Sequence, residues 1–587
     1  MAAEGGQGAS RRIAFVADEL LGYAGNGIGT TTTFVSLALA RTGHDVEILF
    51  AGQPSDGPVD PEWQRLYDEA GVSVREVPQG SQQVEPGQFA RARDVEAALR
   101  ADPPDVVIVQ DLGAPAYTAL RLRRLGLAFE RTSFVVFCHG TRQWITDVSQ
   151  KVRVLPGALA VTVLERASVE LADVVVSPSA YLVDWMRAEG WDLPPQTFVI
   201  PHVSRAGATG EPPPPAPVQA DSDRVDRVAF FGRLEERKGV RPFLAALNAL
   251  EPELLERLEV EFIGRPTPPW PVERVTELLS EETRSTLRHL SFETGLDQHE
   301  ALARLRRPGT LAVMPSFEEN SPNVVYECLE NQIPFIASNV AGIRELVAPE
   351  DRGRILFEPT ANGIAEALRR ALADGDALRP ARAAFDDAES LRRWQDVLAL
   401  PAQPPPPTAA VVEAVEPGWL LLQDETDVPE PHLVETLVRA QQVSGADVVS
   451  CGLFVEGTVH LFPGEPGALG LLRNGYGTVA LVRRSLLDAD EDGARWPQLA
   501  KLAVEGAKIV SVPIPLVTST AAPSALETHP GEALRVLDHF ERGLPHNLRF
   551  AAELATRLAA DAARPSPASG RSFARRAVRR LLAGRRR

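Results

Sequence analysis

The sequence is poor in cysteine and contains no long apolar run. Its 587 residues include three cysteines, Cys138, Cys328 and Cys451, which lie far apart and fit no metal-ligand spacing. This predicts a reduced chain without disulfides. No apolar run approaches the roughly 18 residues of a membrane span, and residues 1–10 lack the basic and apolar regions of a signal peptide. We therefore expect a cytoplasmic protein.

Nucleic acid is not an expected partner either, because the formal net charge is −18. The exception is the stretch 564–587, which carries nine arginines and no acidic residue. Within it Phe573, Ala577 and Leu581 recur at helical spacing with arginines between them. This pattern fits a peripheral helix on an anionic membrane surface, such as the inner membrane face. A disordered solubilising tail, or one that docks on the acidic body, is the alternative.

Short, continuous apolar segments alternate with helical patterns through most of the chain. Examples are 13–17, 106–109, 134–137, 228–231 and 311–314. Such segments are typical of parallel strands that helices cover on both faces. The predicted fold class is α/β, with two Rossmann-like doubly wound domains followed by a shorter α/β module.

Two proline-rich stretches, 205–222 and 401–407, suggest where the units end. The predicted units are a Rossmann-like domain at 11–204, a second one at 224–375 and a crossover helix at 376–400. A proline linker at 401–409, an α/β module at 410–545, a further helix at 546–562 and a basic tail at 563–587 follow.

Ligands of open parallel sheets bind at the carboxyl ends of the strands. One polar loop at such an end reads G-R-L-E-E-R-K-G (232–239), directly after the strand 228–231. Arg233 and Lys238 place two cations just before a predicted helix, which suits a diphosphate. A solvated charged loop is the alternative.

A second polar loop, P-S-F-E-E-N-S-P-N (315–323), follows the strand 311–314. Glu319 lies past the end of that strand, and Glu327 lies about one turn into the next helix. We expect Ser321 to cap this helix with Pro322 in its first turn, so that backbone N–H groups point at a ligand. A polar helix face is the alternative, because two glutamates eight positions apart are common.

Two further loops lie in the first half of the chain. G-I-G-T (27–30) precedes a helix predicted from about Thr32 to Arg41, and its glycines allow a close approach to phosphate. It is neither a Walker loop nor G-x-G-x-x-G, so NAD binding is not expected. His139 follows the strand 134–137 and precedes Gly140. A tight turn and a structural histidine are the respective alternatives.

Together these motifs resemble one family. G-R-L-x-x-x-K-G at 232–239, then E-x7-E at 319–327 and P-F-I-A-S at 334–338, is similar to the retaining glycosyltransferases of family 4, which have the GT-B fold. The G-x-G-T and His-Gly-Thr segments are similar to that family's first domain, and the helix around Trp394 to its crossover helix. The resemblance covers about residues 11–400.

The resemblance implies a nucleotide-sugar donor between the two domains, with the acceptor on the side of the first. Arg233 and Lys238 would bind the donor diphosphate, and Glu327 the ribose. The implied catalytic residues are His139, Arg233, Lys238 and Glu319. The implied donor-binding residues are Gly29, Thr30, Asn320, Ser321, Pro322, Asn323 and Glu327. Family analogy also implies retention of configuration with no metal and no cofactor besides the donor substrate.

The module after the second proline run resembles the middle of a family-2 glycosyltransferase of GT-A type, in W-L-L-L-Q-D-E-T-D (419–427) and V-S-V-P (510–513). The nucleotide-binding first half of that fold has no counterpart here. The metal-binding Asp-x-Asp motif reads Asp424-Glu425-Thr426, so its second acid is missing, and Asp427 lies one step too far along the chain. We expect this truncated, degenerate module to transfer no sugar and to shape an acceptor site or a dimer interface.

The predicted function is therefore transfer of a sugar to a hydroxyl of a glycan, a lipid-linked molecule or a small molecule. Two alternatives remain open. One is a non-catalytic scaffold that binds a nucleotide sugar, and the other is an epimerase of the GT-B fold.

Overall fold

The computed structural model describes residues 10–23, 25, 27–53, 59–80, 82–149, 156–212, 224–373, 375–402, 418–465, 470, 474–487 and 495–520. The predicted helix 546–562 and basic tail 563–587 lie outside the described residues, as do the end of the α/β module and most of the second proline run.

The first domain is a seven-stranded parallel sheet between helices, with strand order β3-β2-β1-β5-β6-β7-β8. In chain order its elements are β1 (Arg12–Ala17), α1 (Gly27–Arg41), β2 (Asp45–Phe50), α2 (Pro61–Ala70), β3 (Ser73–Glu76), β4 (Gln83–Glu85), α3 (Gln88–Ala101), β5 (Val106–Gln110), α4 (Tyr117–Arg124), β6 (Ser133–Phe137), α5 (Arg142–Val148), α6 (Pro156–Leu171), β7 (Val174–Ser177), α7 (Ala180–Ala188), β8 (Thr197–Val199) and α8 (Arg205–Thr209).

The second domain is a six-stranded parallel sheet with strand order β11-β10-β9-β12-β13-β14. Its elements are β9 (Arg227–Phe231), α9 (Val240–Leu247), α10 (Pro252–Leu255), β10 (Glu259–Ile263), α11 (Val272–Leu278), α12 (Glu281–Thr286), β11 (His289–Glu293), α13 (Gln298–Leu305), β12 (Thr310–Met314), α14 (Asn323–Glu330), β13 (Phe335–Ser338), α15 (Ala341–Leu346), α16 (Arg352–Ile355), β14 (Leu356–Phe357) and α17 (Ala361–Ala373), followed by α18 (Asp387–Ala399).

Both parallel sheets are buried on both faces, as their continuous apolar strands predict. In β1, Ile13 and Phe15 belong to one apolar core of the first domain, and Ala14 and Val16 belong to the other. In β9, Val228 and Phe230 lie on one face of the second sheet and Ala229 and Phe231 on the other. The prediction of two doubly wound α/β domains is confirmed.

The helices α8 and α18 follow the first domain's last strand in the chain and pack with that domain. The helix α8 contacts α1, although the sequence places residues 205–222 in a linker. The helix α18 returns from the second domain and buries Trp394 completely in the first domain's core, next to Phe137.

The third module is a mixed sheet rather than a parallel one. Its elements are β15 (Trp419–Leu422), β16 (Val428–Pro429), α19 (Leu433–Ser444), β17 (Val448–Val455), β18 (Thr458–His460), β19 (Ala480–Arg483), α20 (Arg495–Val504) and β20 (Ile509–Thr518). The strand order is β15-β19-β17-β18-β4, and β20 pairs with β17 in parallel.

The edge strand of this third sheet comes from the first domain. The strand β4 pairs in parallel with β18, and the backbone N–H of Leu461 donates to the carbonyl oxygen of Glu85 at 2.8 Å. The apolar faces are shared as well, because Leu122 of α4 and Leu125 just after it belong to the same apolar core as Leu433 and Leu437 of α19. The third module therefore docks on the first domain through both backbone pairing and an apolar core.

Candidate active site

The centre of the site lies where two loops meet at the carboxyl edge of the second sheet. One loop follows β9 and the other follows its neighbour β12. Gly239 allows this approach: its φ is +76°, and a Cβ on it would lie 1.8 Å from the carbonyl oxygen of Pro315. The Nζ of Lys238 then donates to Oε1 of Glu319 at 2.5 Å. Two predicted catalytic side chains are thus brought together as an ion pair, in which Glu319 is buried and Lys238 is part-buried.

A third charge, Arg237, completes the cluster. Its Nη1 donates to Oε2 of Glu319 at 2.9 Å and to the carbonyl oxygen of Glu318 at 3.1 Å. Burial alone would raise the pKa of Glu319, but Arg237 and Lys238 outweigh it and hold that pKa at about 2. Burial lowers the pKa of Lys238, and Glu319 opposes this shift. Glu319 is therefore an anion that holds two cations in place.

Arg233, the other predicted diphosphate ligand, points outward from the same loop. Its side chain is 58 % exposed, and its Nη2 lies 3.3 Å from Oε1 of Glu235. The loop thus presents one exposed cation and two part-buried cations at the strand end.

The first domain contributes His139, at the carboxyl end of β6. Its ring packs on Phe137 with centroids 4.4 Å apart. The buried carboxylate of Asp111 accepts the backbone N–H groups of His139 and Gly140, at 2.9 and 3.0 Å, and so fixes this loop. Burial, and to a smaller degree the neighbouring His202, lowers the pKa of His139 to about 3, so the imidazole is neutral.

Asn320 connects the two halves of the site. Its Nδ2 donates to the carbonyl oxygen of His139 at 3.2 Å, and its Oδ1 accepts from the hydroxyl of Ser179 at 2.5 Å. The asparagine that follows Glu319 therefore bridges the cleft to two loops of the first domain.

The predicted cap of α14 is wrong. The helix begins at Asn323 after Pro322, and no side chain among the described residues caps it. The Ser321 hydroxyl instead pairs with the hydroxyl of Tyr326 at 2.9 Å, and this tyrosine lies in the helix that Ser321 was expected to cap. The side chain of Asn323 reaches the first domain, where its Nδ2 donates to the carbonyl oxygen of Gly27 at 3.0 Å.

The glycine-containing segment 27–30 also differs from its prediction. The helix α1 begins at Gly27 and not near Thr32, so Gly29 and Thr30 lie in its first turn. A Cβ on Gly29 would come within 2.8 Å of the backbone nitrogen of Leu20. Gly29 is thus needed for tight packing of the helix against the preceding loop, whatever else it contacts.

A cavity of about 550 Å³ lies beside this centre, between α1 and α8 of the first domain and α13 and α14 of the second. Three predicted donor-binding residues, Thr30, Asn323 and Glu327, line it. The carboxylate of Glu327 accepts from Nε2 of Gln298 at 2.6 Å, and burial raises its pKa. The volume is in the usual range for a small-molecule site.

Sequence reasoning missed several residues of this site. Asp111 directly follows β5 at the same sheet edge as His139, and Arg237 adjoins Lys238, so strand-end position was a usable signal for both. His202 stacks on Tyr326 with centroids 5.0 Å apart, and only the folded chain brings these rings together.

The described ranges contain neither a candidate metal-binding cluster nor a helix that could span a membrane. There, His, Cys, Asp and Glu side chains form no group of three or more suited to a metal ion. None of the helices within those ranges combines the length and hydropathy that crossing a bilayer requires.

Two family profiles match the chain. Residues 26–202 match a profile described as "Glycosyl transferase 4-like domain", and residues 225–374 match one described as "Glycosyl transferases group 1". The matches coincide with the two parallel-sheet domains that form the cleft.

The sequence identity to individual relatives is low. A glycogen synthase of Mycobacterium tuberculosis is 27 % identical over 428 residues, which is 67 % of this chain and 94 % of the relative. An alpha-maltose-1-phosphate synthase of Mycolicibacterium smegmatis is 29 % identical over 233 residues, 37 % of this chain and 58 % of the relative. Among solved structures, sucrose-phosphate synthase from Thermosynechococcus elongatus has a TM-score of 0.48 at 19 % identity, covering 66 % of this chain and 96 % of that one.

Proposed function

We propose that this chain, which is a glycosyltransferase of the GT-B fold, transfers a sugar from a nucleotide-sugar donor to a hydroxyl group. The transfer retains the anomeric configuration and uses no metal ion. The acceptor is a glycan, a lipid-linked molecule or a small molecule. The observation that carries this proposal is the cluster of Lys238, Arg237 and Glu319, which faces the His139 loop across the cleft.

The reaction breaks the bond between the anomeric carbon and a diphosphate oxygen and forms one from that carbon to the acceptor oxygen. The acceptor proton leaves on the departing diphosphate, on the same face of the sugar. Lys238 and Arg233 neutralise the charge that develops on this leaving group. Glu319 keeps Lys238 in position and offers its remaining lone pairs to sugar hydroxyls.

The nucleoside lies toward the cavity, with Glu327 on the ribose hydroxyls. A part-buried carboxylate that already accepts one hydrogen bond from Gln298 can accept more from a diol. Gly29 and Thr30 approach the phosphates from the first domain, and His139 and the segment Asn320 to Asn323 approach the sugar.

The test is donor turnover. The wild-type chain is incubated with UDP-glucose, ADP-glucose and GDP-mannose, with and without oligosaccharide acceptors, and released nucleoside diphosphate is measured. We expect slow hydrolysis of at least one donor, which Lys238→Ala reduces at least about 100-fold because a cation at the leaving group is lost. Arg369→Ala, which breaks an exposed ion pair with Glu251 far from the cleft, is the matched control and should leave the rate unchanged.

Other results would point to the alternatives. Binding of a donor without any turnover would favour the non-catalytic scaffold. Release of a free sugar whose configuration differs from that of the donor sugar would favour the epimerase.

The third module takes no part in the chemistry under this proposal. In the turn after β15, the carboxylate of Asp427 accepts the backbone N–H of Asp424 at 2.9 Å, so this acid closes its own turn. We expect Asp424→Ala to keep transfer activity and Glu319→Ala to lose most of it. The reverse pattern would move the active site to the third module.

The arginine-rich stretch 564–587 gives the chain a peripheral contact with anionic membranes under the same proposal. In liposome flotation with phosphatidylglycerol vesicles, the full chain should float and a chain ending at Ala563 should not. Equal behaviour of the two chains would remove the membrane contact without touching the transferase proposal.

A further inference from the structure

His202 is a buried imidazole that the proposed chemistry does not use. It follows β8 and lines the cavity between the two domains, and it is only 6 % exposed. Tyr326 stacks on the ring with planes 22° apart, and the hydroxyl of the same tyrosine accepts the backbone N–H of His202 at 3.1 Å. The ring is therefore held in one position.

The contacts of Asn323 determine which ring nitrogen carries the proton. The amide nitrogen of Asn323 donates to the carbonyl oxygen of Gly27 at 3.0 Å. Its amide oxygen is therefore the atom that lies 3.2 Å from Nδ1 of His202. Because an amide oxygen only accepts hydrogen bonds, Nδ1 must donate, and in the neutral ring Nε2 then carries a lone pair.

This lone pair has no partner within the described part of the chain. The Nε2 atom is buried and without a hydrogen bond, which is unusual for a polar atom in a folded protein. The cavity that His202 lines also contains Thr30, Asn323 and Glu327, which are donor-binding residues in the proposed function. Nε2 itself has almost no accessible surface in this arrangement, so a ligand in the cavity would reach it by displacing the side chains that cover it, and would then supply the missing partner.

We propose that Nε2 of His202 accepts a hydrogen bond from a hydroxyl group of the nucleotide-sugar donor, so that His202 is a donor-binding residue. This inference rests on the proposed function. A phosphate group is excluded as the partner, because an ionised diphosphate offers only acceptor oxygens and would face the lone pair with another one. The partner is either a ribose hydroxyl or a hydroxyl of the transferred sugar.

Two substitutions separate this role from a merely structural one. His202→Asn places an amide nitrogen near the position of Nδ1, so it keeps the contact with Asn323 and removes Nε2. His202→Gln places its amide group near the position of Nε2 and removes Nδ1. If His202 only held Asn323, the asparagine variant would behave as wild type and the glutamine variant would not.

The measurement is the dissociation constant of each variant for the nucleotide sugar that wild type hydrolyses, and for its nucleoside diphosphate alone. We expect His202→Asn to weaken binding about tenfold, the effect of one lost hydrogen bond to a buried group, and His202→Gln to stay within about threefold of wild type. Equal weakening with the diphosphate alone assigns the hydroxyl to the ribose. Weakening with the nucleotide sugar only assigns it to the transferred sugar.

The opposite order of the two variants, or unchanged binding by His202→Asn, overturns the inference and leaves the proposed function intact. Melting temperatures of both variants show that they fold. If wild type binds and hydrolyses none of the three nucleotide sugars, the proposed function fails and this inference fails with it.

Discussion

The ionisation of Glu319 depends on two neighbouring cations. Its carboxylate lies between Arg237 and Lys238, and only 5 % of its side chain is exposed. Removing one member of this cluster leaves the remaining charges without their partner. The resulting loss of stability exceeds the net stabilisation that the intact ion pair provides. Under the proposed function, stability and catalysis therefore depend on the same three residues.

This coupling predicts a non-additive result. Lys238→Met and Glu319→Gln should each lower the melting temperature by at least about 5 °C, because each leaves charge buried without its partner. The double variant should lose less than the sum of the two, while turnover stays abolished. Differential scanning fluorimetry checks the first point and donor hydrolysis the second. Strict additivity in the melting temperatures would mean that the two side chains do not interact in solution.

His139 predicts a pH dependence. Its pKa is about 3 in the folded chain and about 6.5 in an unfolded one. Between about pH 6.5 and pH 3 the imidazole of His139 is protonated in the unfolded state but neutral in the folded state. The free energy of unfolding therefore decreases as the pH falls from about 6.5 toward 3.

His139→Gln removes this titration. Between pH 7.5 and 5 its stability should fall less steeply than that of wild type, by up to about 1.4 kcal/mol per pH unit. Asp18 and Glu165, whose pKa values burial raises to about 6 and about 7, act in the opposite sense, but both chains carry them. Parallel melting curves across this range would show that His139 is not a buried neutral imidazole.

Among the elements, the contact between α4 and the third module is the least expected. Arg121 is buried, and its Nη2 donates to the carbonyl oxygen of Pro463 at 3.3 Å, where the hydroxyl of Tyr117 also donates at 3.2 Å. A second link, between Arg439 and Glu130, is exposed. The buried contact should therefore count for more than the exposed one.

Arg121→Met tests this difference. It removes a buried donor from the Pro463 carbonyl and should destabilise the docked module by about 1–3 kcal/mol. Arg439→Ala, on the same interface, should cost at most about 1 kcal/mol. Hydrogen exchange at residues 458–464 should accelerate in the first variant and remain at the wild-type rate in the second. Equal exchange in both would mean that the apolar core alone holds the interface.

The sequence predicts some of these elements well and others not at all. Strands that are buried on both faces, such as β1 and β9, are recognisable in the sequence as continuous apolar runs. The carboxyl ends of such strands predict that Lys238, Glu319 and His139 lie at a sheet edge. The strand β4 is only three residues long, Gln-Val-Glu, and carries no strand pattern of its own, because its partner lies in another domain. The tautomer of His202 is likewise fixed by Asn323 and Gly27, which no local pattern connects to it.

On the scale of the whole molecule, carboxylates of the second domain cap helices of the first. Glu345 accepts the backbone N–H groups of Ala180 and Tyr181 at the start of α7, at 2.8 and 2.9 Å. Glu330 does the same for Arg205 and Ala206 at the start of α8. The free N–H groups of a helix start favour an anion, so these contacts hold the cleft closed.

Glu345→Gln should loosen this closure. An amide offers one acceptor oxygen in place of two and no negative charge. We expect a larger radius of gyration by small-angle X-ray scattering in the absence of donor, reversed by saturating nucleotide sugar. Glu350→Gln, which changes an exposed carboxylate paired with Arg382, is the control and should scatter as wild type. Identical curves for both variants would assign domain closure to other contacts.

The shared strand has a consequence for how the chain is made. On the ribosome, residues 83–85 emerge long before their partner 458–460, because the rest of the first domain and the whole second domain are synthesised in between. The third sheet can gain its last strand only after that delay, and until then the apolar side chains of α4 are uncovered. A gene cut at the second proline run would therefore leave an uncovered apolar surface on the first domain. Recombination at this boundary should be disfavoured, even though the proposed active site lies wholly upstream of it.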